Sequence, residues 1–301
     1  MIIIAVLGAL SIVLALILNF TNTATFNEEY LYRIKSTEKA YYMSISVLPS
    51  VLKIFMLDDP AFDSFTDTWA QTLPVIKTKE GNIYIRISDE DRKFNPNYII
   101  KEDKEEKYHK AQFERLLNLL SSKNYLDNKV SDWIDKDSQA TLPGGVEDNL
   151  SGINFKNAPL DSIYEILYIQ DAGEEDFYGS GTENRYGIGL NKLLTVHSGG
   201  KVNINTAPKV ILESIDEGVT SDVAEAIIKR RIEKPFKNIK EILDIPGMNL
   251  DILYKIEQVA GVSSSFYNIN IIVDTGEVKP SFTCIVKREE ESIKPVLWKV
   301  E

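Results

Sequence analysis

The sequence predicts an α+β chain in which a long N-terminal helix packs on a small antiparallel sheet, with a large α-helical domain inserted between the strands of that sheet. Three observations predict it. Residues 1–57 read as one helix, apolar alternation of period two occurs near 82–88 and again only after 266, and the stretch between carries helical spacing. The implied organisation is an anchor and stem over 1–57, a β-domain from 58–100 plus 263–301, and an inserted helical domain over 101–262. Two compact units are what 301 residues allow.

The anchor comes first in the chain. No charge occurs in residues 1–27, and 1–18 is apolar apart from Ser11, enough for roughly 27 Å of helix at about 1.5 Å per residue. A cleaved secretory signal would show a basic start, a shorter apolar stretch and a small-residue cleavage site, so the segment reads as a retained anchor, with residues 1–20 in the membrane. Beyond it Phe26, Tyr30, Ile34, Tyr41, Ile45, Leu48, Leu52 and Phe55 recur at helical spacing among Glu28, Arg33, Lys35, Glu38 and Lys39. This is an amphipathic stem continuous with the anchor, on the order of 80 Å long in all. Pro49 is expected to bend it, and Asp58-Asp59-Pro60 to end it.

Strand signals follow over 69–100, best at Ile83, Ile85 and Ile87 alternating with Tyr84 and Arg86. They return in Tyr267, Ile269, Ile271 and Val273, then Phe282, Cys284 and Val286, then Val296, Trp298 and Val300. Asp274-Thr275-Gly276 and the charged run 287–292 suit the turns of a meander. Helical spacing marks 113–120, 163–169, 209–215, 223–231 and 239–243.

Composition excludes several functions. Lys plus Arg number 34 against 45 Asp plus Glu, a formal charge of −11 that repels nucleic acid and anionic lipid. One cysteine, Cys284, permits no intrachain disulfide. His109 and His197 belong to no metal or nucleophile motif and read as surface residues; no catalytic constellation stands out, and the chain reads as a non-enzyme. Gly179-Ser-Gly181 and Gly187-Ile-Gly189 lack the preceding strand and the closing Lys-Ser/Thr of a phosphate loop, and read as part of a flexible loop.

Two segments carry possible chemistry. Asp132-Trp-Ile-Asp-Lys-Asp137 followed by Pro143-Gly-Gly-Val-Glu-Asp148 puts Asp132, Asp135, Asp137, Glu147 and Asp148 on a turn-rich stretch. That is either a solvated acidic loop or a calcium site, since calcium takes six to eight oxygens from a loop able to fold around it. The second segment, from Gly200-Lys-Val-Asn-Ile-Asn-Thr-Ala-Pro208 through 216–220 to Ile245-Pro-Gly-Met248, looks like a tandem helix-hairpin-helix unit of the SAM-like kind, similar to those of competence-type DNA receptors. Such hairpins use Gly-apolar-Gly turns to bring backbone N–H groups to phosphate. Here each turn keeps one glycine, and Asp216 and Glu217 stand where phosphate would lie, which disfavours a duplex. A membrane-anchored DNA receptor remains the alternative, on the strength of Lys229, Arg230 and Arg231, whose plainer role is to stabilise a helix C-terminus.

In order along the chain, the apolar N-terminus and stem, Ile87-Ser-Asp-Glu-Asp-Arg-Lys-Phe-Asn-Pro-Asn97, the acidic block 132–148, Asn157-Ala-Pro-Leu-Asp-Ser-Ile-Tyr-Glu-Ile, Leu194-Thr-Val-His and Val202-Asn-Ile-Asn-Thr-Ala-Pro208 resemble the large minor pseudopilins of type II secretion systems, the general secretion pathway protein K family. The resemblance spans essentially the whole chain. It implies a pilin-like fold with an inserted helical domain, a single pass through the inner membrane with the globular part in the periplasm, and a place at the pseudopilus tip with the I- and J-type minor pseudopilins. It also implies calcium on Asp132, Asp135, Asp137, Glu147 and Asp148, and processing by a prepilin peptidase, although no leader precedes Met1. Most pilins carry a carboxylate near the mature N-terminus that pairs with a neighbour's amine in lipid. The anchor here has Ala5 and Val6 in that region and no acid, so it offers no such pair to a subunit above it.

Overall fold

The computed structural model describes residues 2–122, 125–147, 155–169, 173–181, 183–290 and 292–300. Helix α1 spans Ile2–Met56 and ends just before the acidic Pro60 run. It passes through Pro49 unbroken, although proline removes one backbone hydrogen bond there, because Val51 and Phe55 on the following turns are packed against the sheet. Every residue over 2–35 is exposed, so more than half of α1 has no intrachain cover.

The face that α1 gives to the sheet takes in only the upper part of the predicted stripe, where Phe55 is buried and Leu48 and Leu52 pack against the sheet core. Ala40, Ser44, Val51 and Phe55 are buried, whereas Phe26, Tyr30, Ile34, Tyr41 and Ile45 stay between 37% and 68% exposed. The sheet therefore takes the upper part of the stripe and its flank, where small Ala40 and Ser44 allow close approach and Tyr41 meets Phe282 and Trp298, and leaves Phe26, Tyr30 and Ile34 facing outward.

The sheet has strands β1 (Ile76–Thr78), β2 (Gly81–Asp89), β3 (Phe266–Asp274), β4 (Ser281–Arg288) and β5 (Ile293–Val300). They lie in that order, each antiparallel to the next. Alternation decides the faces: Ile83, Ile87, Tyr267, Ile269, Ile271, Val273, Phe282 and Cys284 point at α1. Trp69 is not in a strand as expected but in a 3-10 turn, Thr68–Ala70, its ring against Tyr267 at 5.1 Å.

Residues 90–265 lie between β2 and β3. Their helices include α2 (Lys107–Leu119), α3 (Leu126–Ile134), α4 (Lys209–Ile215), α5 (Ser221–Glu233) and α6 (Leu250–Val259), with 3-10 helices at Ile163–Tyr168 and Ile239–Asp244. A short helix, Glu174–Tyr178, stands where a loop is expected. Phe113, Leu116, Val130, Ile211, Phe236 and Ile256 centre a second core, separate from that of the sheet. Phe94 and Ile99, expected in the β-domain, belong to this helical core, because the chain leaves the sheet after Asp89 and stacks Phe94 on Phe113 at 5.1 Å.

The insert sits beyond the top of the stem. Tyr267, at the start of β3, packs on Phe55 near the upper end of α1, with ring centroids 4.5 Å apart. At the other end of β3, Glu277 accepts a hydrogen bond from Ser36 lower on the stem. Ser36 and Phe55 are separated by about 28 Å of helix rise, so a unit joined at Asp89 and Phe266 projects from the end farthest from the anchor.

Candidate functional site

Two groups of carboxylates occur outside the sheet core, and their surroundings differ. The first is the predicted acidic loop. Asp132 lies in the last turns of α3, fully buried, and its two oxygens accept from the backbone N–H of Thr141 at 2.9 Å and of Val146 at 2.7 Å. This folds the loop back on the helix end, and Gly145 is needed for it: a Cβ there would stand 2.3 Å from Asp132 Oδ2 and from the carbonyl of Thr141. The fold-back brings Asp135, Asp137 and Glu147 together, with one oxygen of each within 4.8 Å of the others.

Among the described residues no cation faces Asp135. Burial first, then Asp137, Asp132, Glu147 and Asp103, pushes its carboxyl up to about 7, and its Oδ1 is buried with no hydrogen-bond partner. An orphaned buried oxygen beside two further carboxylates fits a hard cation such as calcium. Asp135, Asp137 and Glu147 would hold it, and its charge would tie the loop to α3. Of the other predicted ligands, Asp132 spends both oxygens on the loop backbone and is a brace instead, and Asp148 lies outside the described residues.

The second group was not singled out as a site by sequence reasoning. Asp63, Asp89 and Asp91 are all buried where stem, sheet and insert meet. Asp89 accepts from Thr206 Oγ1 at 2.5 Å, Ser264 Oγ at 2.7 Å and Asn203 Nδ2 at 3.3 Å. Asp91 accepts from the backbone N–H of Gly199 at 2.6 Å, Ser265 at 2.7 Å and Phe266 at 2.8 Å. Asp63 accepts from Tyr267 Oη at 2.5 Å, from the Ser264 N–H at 2.7 Å and from the Arg288 guanidinium, which also reaches Asp58 at 3.2 Å. Asn203 adds hydrogen bonds to the Asp63 carbonyl and Ser264 Oγ. Burial is the main cause that raises the carboxyls of Asp63, Asp89 and Asp91 above the usual carboxylate range. Both the Asp-Glu-Asp run at 89–91 and the Asn-Ile-Asn-Thr-Ala segment supply this junction, and their recurrence among the resemblance motifs was the signal that could have found it.

Of the hairpin cations, Arg230 takes the expected role, donating to the Lys234 carbonyl at the C-terminus of α5, while Arg231 braces a loop instead. Arg231 donates to the carbonyls of Ile204 at 2.7 Å and Ala207 at 2.8 Å, and Arg230 pairs with Glu241 at 2.9 Å. In the first turn the Gly218 N–H is taken by Asp216 Oδ1 at 2.9 Å, so it faces its own chain. His109 is not on the surface: it is buried on α2, bonded to Glu106 at 2.6 Å and to the Gly200 carbonyl at 3.0 Å.

The family described as "Type II secretion system (T2SS), protein K" matches residues 202–263, the segment that carries Asn203, Thr206 and both hairpins. Type II secretion system protein K of Aeromonas hydrophila is 23% identical over 318 aligned residues, covering 97% of this chain and 93% of its own length. Over nearly its whole length the chain is thus similar to type II secretion system protein K. Its namesake from Pseudomonas aeruginosa is 30% identical over 92 residues, 29% of this chain and 28% of the relative. Among solved structures, a chain of the GspK-GspI-GspJ complex from enterotoxigenic Escherichia coli superposes with a TM-score of 0.68 at 16% identity, over 89% of this chain and 97% of that one. The fold is thus the pilin-like one with an inserted helical part, and these likenesses together support a minor pseudopilin of the type II secretion system. Its long apolar helix, Ile2–Met56, is compatible with a single membrane anchor.

Proposed function

We propose that this pseudopilin is the tip subunit of the pseudopilus, which it caps or initiates during protein export. The single observation that carries this is the position of the insert: a bulky helical unit stands beyond the upper end of α1, where the next pseudopilin would have to be added. The exposed lower stripe of Phe26, Tyr30 and Ile34 gives neighbouring stems a surface to pack on. The absence of any acid in residues 1–27 removes the ion pair that a following subunit would use. In this reading α1 is anchored in the inner membrane, the globular part is periplasmic, a prepilin peptidase processes the precursor, and the partners are the I- and J-type minor pseudopilins, as in the complex from Escherichia coli. The protein acts as an assembly subunit, not a catalyst, and its hairpins as packing elements, not duplex clamps. Calcium on Asp135, Asp137 and Glu147 would order the insert.

The test is immunogold labelling of assembled pseudopili with an antibody to the insert. Label confined to one filament end is expected; label distributed along the length overturns the tip assignment.

A further inference from the structure

The sheet has one protected edge and one open edge. Strand β5 carries Lys294, Pro295 and Lys299, residue types that discourage strand addition. At the other side β1 pairs with β2 only as far as Ile83, and the next residues, 84–89, have β3 on one side and no strand on the other. The Glu90 N–H donates to the Phe266 carbonyl; by the alternation of an antiparallel ladder, even-numbered residues of β2 bond to β3, while the N–H and C=O of Ile85 and Ile87 point to the open side. Those groups have no partner among the described residues.

A cleft of about 620 Å³ runs along this edge, walled opposite by Phe65, Leu73 and Val75, a size common among ligand sites. Its chemistry is cationic on a chain of net charge −11. Arg86 is exposed and Arg92 lies over the Phe65 ring at 5.7 Å; neither meets a carboxylate among the described residues. Arg231 flanks the same ring at 5.7 Å, and Lys279 lines the cleft beside Tyr84 but is paired with Asp274 at 3.3 Å, so Arg86 and Arg92 are the cations a ligand could neutralise. Trp69, 1% exposed, is also in the wall, and its indole N–H has no acceptor.

We propose that this edge is a docking slot for an extended acidic segment of a partner protein, which adds as a strand beside Ile85 and Ile87 and sets carboxylates against Arg86 and Arg92. Unpaired backbone groups supply the attachment, as in other strand additions, and side chains directly across a strand pair come within about 5 Å, which places an acidic residue of the incoming strand on Arg86. The inference stands independently of the tip assignment.

The test uses the full chain in detergent micelles with two fluorescein-labelled decapeptides, one alternating Glu and Thr, the other Lys and Thr. Fluorescence anisotropy should show binding of the acidic peptide alone, weakening as salt rises, and hydrogen exchange should slow at the Ile85 and Ile87 amides when it binds. Arg86→Glu with Arg92→Glu should weaken binding at least ~10-fold. Ile85→Pro should also abolish it, since proline removes an outward N–H that β3 does not use; should that variant fail to fold, the charge reversal and the exchange data decide. Equal binding of both peptides, or binding without protection of those two amides, overturns the proposal. Protection that rises with the concentration of the chain alone also overturns it, because the occupant would then be a second copy.

Discussion

The acidic loop and the buried junction are built from the same residue type with opposite results. In the loop Asp135, Asp137 and Glu147 converge on one another, and Asp135 has a buried oxygen without a donor. At the junction each of Asp63, Asp89 and Asp91 receives hydroxyl, amide or guanidinium donors from the chain itself. Clustered carboxylates therefore do not by themselves mark a metal site. What separates a strut from a vacancy for a cation is whether the protein has supplied the donors, because burying a charge without them costs several kcal/mol.

The comparison can be broken most sharply at Asp63. Asp63→Ala removes the buried carboxylate shared by Arg288 and the Tyr267 hydroxyl, leaving them only Asp58 and the Ser264 carbonyl, and should cost about 3 kcal/mol in urea unfolding; a loss below about 1 kcal/mol would show that the junction is not a strut. The loop should respond to metal, not to denaturant alone. Calcium at ~100 times its Kd should stabilise the chain by about 2.7 kcal/mol, chelation should lower Tm accordingly, and Asp135→Ala with Asp137→Ala should erase the difference. Equal melting with and without chelator would remove the site.

A smaller effect is expected from pH, read in an Asp135→Asn background so that the loop contributes little. Burial raises Asp89 in the folded state above its unfolded value, so the folded chain holds the proton more tightly. The stability this gives is complete below the ordinary carboxylate range, near ~4, and is lost as pH rises through the folded value towards neutrality. Asp89→Asn should flatten that decline; an unchanged slope would assign it elsewhere. The smallest effect belongs to Asp103, which adds to the charge around Asp135 but is itself paired with Lys136 at 2.9 Å on the surface. Asp103→Asn should change calcium affinity by no more than about twofold, as screened surface charges do.

Much of the fold was legible in the sequence. The helix from Ile2 to Met56 announced itself by an uncharged run followed by helical spacing, and β2, β3 and β4 by strict alternation. The side of α1 that meets the sheet was legible only in part: the stripe residues Leu48, Leu52 and Phe55 pack there, whereas lower on the stem close packing selected Ala40 and Ser44 beside the stripe. The acidic loop was legible as composition, yet Asp132 receives two backbone donors and Asp135 keeps a buried oxygen without one, a distinction set by the direction of two backbone N–H groups. His109 was misplaced for a related reason, since a charged helical run gives no hint of the Gly200 carbonyl that its ring meets 91 positions away.

The sequence by itself determined the elements, the long apolar helix, the acidity and the likeness to type II secretion system protein K, because periodicity, charge and motif order are local properties or simple sums along the chain. Only the tertiary structure decided which acids are satisfied and which sheet edge stays open. Hydrogen-bond donors for Asp63, Asp89 and Asp91 come from positions as distant as Thr206, Ser264 and Arg288, and the vacancy beside Ile85 exists because β1 stops short. Both depend on distances between residues far apart in the chain, which pattern along it does not carry.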